Sequence, residues 1–112
     1  MIRFYATGED FLKENKRILD ENILDTSFFL WNAKHIQEIN AKNYIFKVIN
    51  VNSYLLVMQY YPYNLLLYGD SSLCKEAVTV FCEYNLYFSK ILAAKELSLE
   101  SVSYTHLRAH ET

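Results

Sequence analysis

From position 44 to 68 the chain reads YIFKVINVNSYLLVMQYYPYNLLLY, apolar at nearly every position and broken only twice. Residues 44–50, 53–60 and 63–68 are rich in Ile, Val, Leu, Phe and Tyr, side chains that suit a pleated, packed surface, and each predicts a strand. Asn50, Val51 and Asn52 supply one tight turn, because Asn tolerates left-handed backbone. Tyr61 and Pro62 supply the other. Connections this short predict antiparallel neighbours. The middle strand places Tyr54, Leu56, Met58 and Tyr60 on one face and Leu55, Val57 and Gln59 on the other. Leucines 65, 66 and 67 again occupy both faces. A sheet with one wet face would alternate apolar with polar, so helices are expected on both sides.

The flanking segments supply them. Residues 2–6 are short and β-prone. Thr7 is placed to cap a helix over 8–22, with Glu9 and Asp10 in the first turn, where the helix dipole favours acid. Phe11, Leu12, Ile18 and Leu19 mark its apolar face. Asp25 or Thr26 can cap a second helix over 26–40, with a stripe of Phe29, Ala33 and Ile36 flanked by Phe28 and Ile39. After the strands, Gly69 to Ser72 turn and cap a helix over 73–85, whose buried face is Leu73, Ala77, Val80, Phe81 and Tyr84. Residues 86–92 predict a further strand, parallel to its neighbour because it follows a crossover helix. Residues 93–100, AAKELSLE, are good helix formers.

Composition adds little chemistry. The 112 residues carry a net charge of −2 and include two Gly, one Pro and two Cys. A sequence pI near 5.9 without a basic patch argues against nucleic acid as a main partner, and none is expected. The N-terminus lacks a signal-peptide core and no apolar run reaches spanning length, so the expected location is the cytoplasm, with no membrane partner. Cys74 and Cys82 fall eight apart on one helix, about 12 Å along its axis, too far to bridge. Two buried, reduced thiols are expected.

The last segment, 102–111 (VSYTHLRAHE), resembles the translation of a transposase-type sequencing adapter, residue for residue. Residues 101–112 are therefore read as an adapter-derived, non-native tail, and 1–100 as the domain. His106 and His110, with Glu111 beside them, have the four-residue spacing that begins some zinc sites. Within such a tail they carry no metal assignment.

The order strand, two helices, three antiparallel strands, helix, strand, helix resembles the first two-thirds of the GNAT acetyltransferase superfamily. The segments LDENILDTSFFLWNA, NLLLYGD and FSKILAAKELSLE resemble the degenerate N-terminal half of bacterial two-part GNAT proteins. The resemblance implies a mixed, mostly antiparallel sheet of α/β (α+β) class with its C-terminal part missing. It also implies acetyl-CoA as cofactor of a full-length protein, bound by a downstream GNAT domain of the same chain. The family's R/Q-x-x-G-x-G/A loop turns its amides toward the pyrophosphate at a helix N-terminus. The matching segment here, Leu67-Tyr68-Gly69-Asp70-Ser71-Ser72-Leu73, has one glycine, no Arg or Gln at the required offset, and an acid at the helix start. The family's catalytic tyrosine has no counterpart in 93–100, and Tyr104 lies in the tail. Residues 63–69 hold no acid to act as base.

No catalytic, cofactor-binding or metal-binding residue is therefore assigned. His35 reads as an exposed histidine and Trp31 as a packing residue. Two functions lead: the non-catalytic portion of a GNAT N-acetyltransferase, or a non-enzymatic interaction module with a GNAT-like fold, with a free-standing GNAT of divergent cofactor loop ranked below both.

Overall fold

The computed structural model describes residues 1–89 and 91–93. Five strands form one sheet in sequence order: β1 (Ile2–Phe4), β2 (Asn43–Ile49), β3 (Tyr54–Tyr60), β4 (Leu65–Gly69) and β5 (Ile91–Ala93). Each neighbour is antiparallel from β1 to β4, and β5 joins β4 in parallel. The register pairs Phe46 with Val57 and Val48 with Leu55 on one face, and Ile45 with Met58 on the other. Both faces are apolar because both are covered.

One face packs on α4 (Cys74–Glu83): Tyr44, Phe46, Leu55, Val57 and Leu67 meet Leu73, Ala77, Val80 and Phe81. The opposite face packs on α1 (Gly8–Glu14), α2 (Lys16–Glu21) and α3 (Ile23–His35), where Ile45, Leu56, Met58 and Leu66 meet Phe11, Leu19, Phe29 and Ala33. Each large side chain removed from water contributes on the order of 1.5–3 kcal/mol, so the two clusters hold the layers together. The α+β class and the helices on both faces agree with the sequence reading.

Several boundaries differ from it, for local reasons. The single helix expected over 8–22 is two. At Asn15 the side-chain amide donates to the Phe11 carbonyl at 3.0 Å and to the Tyr5 hydroxyl at 3.1 Å. That competition with the backbone interrupts the helix. Thr7 does cap α1, its Oγ1 accepting from the Asp10 amide at 3.0 Å. Neither Asp25 nor Thr26 caps α3, which starts earlier, at Ile23. Thr26 lies inside the helix, its buried hydroxyl donating to the Asn22 and Leu19 carbonyls. The helix also ends at His35, short of position 40.

Asp70 caps a short 3-10 turn (Ser71–Leu73) that leads into α4. Tyr84, expected on the buried face, is exposed and lies edge-on to Phe4. Residues 86–89 are not strand. Asn85 has a left-handed φ of 51°, and the chain beyond it bonds outside the ladder, the Tyr87 amide to the Ala41 carbonyl. Ala93 ends β5 and does not open a helix. The helix expected over 94–100 and the tail 101–112, with Tyr104, His106 and His110, lie outside the described residues.

Candidate functional site

Among the described residues, three places bring chemistry-bearing side chains together. The first is the turn from β4 to α4, where the GNAT resemblance sets a pyrophosphate. Four of its amides are already committed. Asp70 N donates to the Tyr54 carbonyl at 2.8 Å and Leu73 N to the Asp70 carbonyl at 3.1 Å. Ser72 N donates to the Asp70 carboxylate at 2.9 Å, and Cys74 N to the Ser71 carbonyl. The Ser72 amide also holds the Asp70 carboxyl below the usual carboxylate range. Gly69 serves packing: its φ is 135°, and a Cβ there would collide with the Tyr54 carbonyl oxygen of β3. A carboxylate cap over inward-bonded amides repels a phosphate.

The second is a polar cluster at the β1 edge. Arg3 and Lys47 are cross-strand partners, a like-charge pair that costs stability unless neutralised. Glu14, from the end of α1, accepts from the Arg3 guanidinium at 2.6 Å and from the Tyr5 hydroxyl. Lys47 Nζ donates to Asn15 Oδ1 at 2.9 Å. Burial, then the Glu14 bond, pushes the Tyr5 phenol up to about 12. The Tyr5 hydroxyl, followed by Arg3, holds the Glu14 carboxyl below its ordinary value. Burial lowers the Lys47 ammonium. Each charge here faces a partner, so the cluster fastens the α1–α2 junction to the sheet.

The third is a groove of about 470 Å³ between α3 and the β3–β4 turn. Ser27, Phe28, Trp31 and Asn32 descend one side of α3 at successive turns; Tyr63, Asn64 and Leu66 form the opposite wall and floor. The Trp31 ring is covered by His35 on one side, with centroids 3.9 Å apart, and meets the Tyr63 ring edge-on at 5.4 Å. His35 Nδ1 lies 2.6 Å from the Trp31 carbonyl oxygen. Trp31 and Phe28 remain 44% and 59% exposed.

No protein-family model, curated protein or solved structure matches this chain. The geometry must speak for the site. Of the three places, the groove is the one lined by a buried carboxamide that has no side-chain partner among the described residues. Four polar residues are buried among those described: Asn15, Thr26, Asn32 and Gln59. Asn15, Thr26 and Gln59 are bonded through their side chains. The Asn32 carboxamide is not, although Asn32 is only 3% exposed. Fully occluded polar side-chain atoms all have partners, so the amide of Asn32 reaches solvent through the groove that it lines.

A smaller groove of about 300 Å³ lies between α1, α2 and α3. Its charged rim is neutralised internally by Lys13 with Glu9 and by Lys16 with Asp20. Among the described residues no three of His, Cys, Asp and Glu stand together as a metal set, and no helix is long and apolar enough to cross a membrane.

His35 is exposed, as read from the sequence. Trp31 packs, but on the surface, as a wall. Cys74 is buried whereas Cys82 is exposed, which corrects the expectation of two buried thiols: Cys82 lies on the solvent side of α4. Asn32 was not singled out by sequence reasoning. The available signal was an Asn in mid-helix, a poor helix former beside an aromatic, which asks for a reason.

Proposed function

We propose that this chain is the non-catalytic, GNAT-like N-terminal portion of a cytoplasmic N-acetyltransferase. In this reading acetyl transfer from acetyl-CoA to an amine belongs to a downstream domain of the same protein. The supporting observation is the strand order with its directions: four strands in three antiparallel pairs, a crossover through α4, and β5 returning parallel to β4. The inward-bonded amides and carboxylate cap of the β4–α4 turn support the non-catalytic part of the reading. Sequencing the source DNA through the codon for Glu100 and expressing the continued frame tests it. The 112-residue chain is expected to give no heat with acetyl-CoA in calorimetry, and the longer protein to bind it. A continued frame without R/Q-x-x-G-x-G/A after a strand overturns the proposal.

A second reading, a non-enzymatic interaction module, is favoured by the outer side of α3. Ile23, Leu24 and Phe28 are exposed there, Leu24 to 92%. Acetyl-CoA binding by the longer protein counts against it.

A further inference from the structure

We infer that the groove between α3 and the β3–β4 turn is a binding site for a small, planar, uncharged molecule. Its recognised edge carries a hydrogen-bond donor beside an acceptor, as in a lactam or a primary carboxamide. The inference does not depend on the GNAT reading.

Asn32 sets the polar chemistry of the groove. A carboxamide offers one donor group and one acceptor group side by side, and burying them unbonded costs free energy. The other three buried polar side chains find partners within the chain, whereas the Asn32 amide has only the solvent of the groove. Its amide opens on the groove, where a ligand with the complementary edge would make two hydrogen bonds at once. The surroundings select the rest of the ligand. Phe28, Trp31, Tyr63 and Leu66 provide an apolar and largely aromatic enclosure, suited to a ring. Among the described residues no Asp, Glu, Lys or Arg lines the groove, so none of them compensates an ionised ligand for lost hydration. A volume of about 470 Å³ suits a mono- or bicyclic molecule. The site is also supported from behind. His35 covers the outer face of Trp31 and bonds to its carbonyl, which fixes the indole wall.

The test is a titration of the 15N-labelled chain with 2-quinolone and benzamide, followed at the Trp31 indole N–H and the Asn32 side-chain NH2. Trp31 is the chain's single tryptophan, so its indole signal needs no assignment by mutagenesis. Quinoline, which lacks the donor, and benzoate, the charged counterpart of benzamide, are the controls. Saturable shifts of both signals by the amide probes, with binding at least about tenfold weaker for the controls, are expected. Asn32→Leu should weaken 2-quinolone about tenfold while leaving quinoline unchanged. Phe28→Ala, at an exposed position where folding is not at stake, should weaken both. Absence of saturable shifts, or equal binding of quinoline and 2-quinolone, overturns the inference. So does a binding site that maps away from Trp31 and Asn32.

Discussion

Gln59 and Ser89, thirty residues apart, are joined by two hydrogen bonds that replace a stretch of sheet ladder. The Gln59 side-chain oxygen accepts from the Ser89 amide at 3.0 Å and from its hydroxyl at 3.2 Å. Gln59 Nε2 donates to the Tyr63 carbonyl at 2.7 Å, and the Ser89 hydroxyl shares its one proton between that carbonyl, also at 2.7 Å, and the Gln59 oxygen. A buried amide thus ties the β3–β4 turn to the approach of β5. Gln59→Leu keeps the volume and strands the Ser89 amide. The variant is expected to lose about 1–3 kcal/mol in urea denaturation, without change in slope. An unchanged midpoint would mean that the network contributes nothing net.

The Tyr5 cluster makes stability fall on the alkaline side. The Tyr5 phenol titrates near 10 in the unfolded chain and at about 12 in the folded one. Its contribution is complete below pH 10 and disappears as pH rises toward 12, because the unfolded chain releases the proton first. Glu14 acts in the opposite sense: its carboxyl is depressed on folding, so its contribution is present above its unfolded value and is lost on acidification. Tyr5→Phe should flatten the alkaline limb of the thermal midpoint against pH. At neutral pH it should cost about 1–2 kcal/mol, through the unpaired Asn15 amide donor. An alkaline limb identical to that of the parent chain would refute this assignment.

Both glycines of the chain stand where two backbones touch. Gly8 opens α1 against the Ala33 carbonyl of α3, and Gly69 ends β4 against the Tyr54 carbonyl with a positive φ. Gly69→Ala therefore suffers strain as well as collision. A loss of more than about 1 kcal/mol is expected in chemical denaturation. If the variant were as stable as the parent, the backbone at Gly69 could not have the conformation described.

The sheet was legible because its three central strands are apolar on both faces, a pattern that only two covering layers explain. The break at Asn15 was not legible. The residues around it are good helix formers, and the interruption comes from Tyr5 and Lys47, distant in sequence. Asp70 could be read directly, since a cap acts within three residues. The groove could not. Phe28 and Trp31 look like any apolar helix positions until the β3–β4 turn is placed beside them, and Asn32 gains significance only from the partner that it lacks. Interactions within a turn or a strand pair were readable; those set by layer packing were not.

The two cysteines offer a direct check on how α4 is rotated on the sheet. Cys74 lies in the cluster with Val57 and Phe81, whereas Cys82 faces solvent. Thiolate formation is disfavoured by apolar burial, and reagent access is blocked there as well. With a disulfide reagent such as DTNB, one thiol should react within the mixing time of a manual assay, and mass mapping should place the label on Cys82. The second should react only at the rate of local or global opening, and in denaturant both should react together. Cys82→Ser should abolish the fast phase alone. Two fast thiols in the native chain would show that α4 does not bury Cys74, and the packing of that face would have to be redrawn.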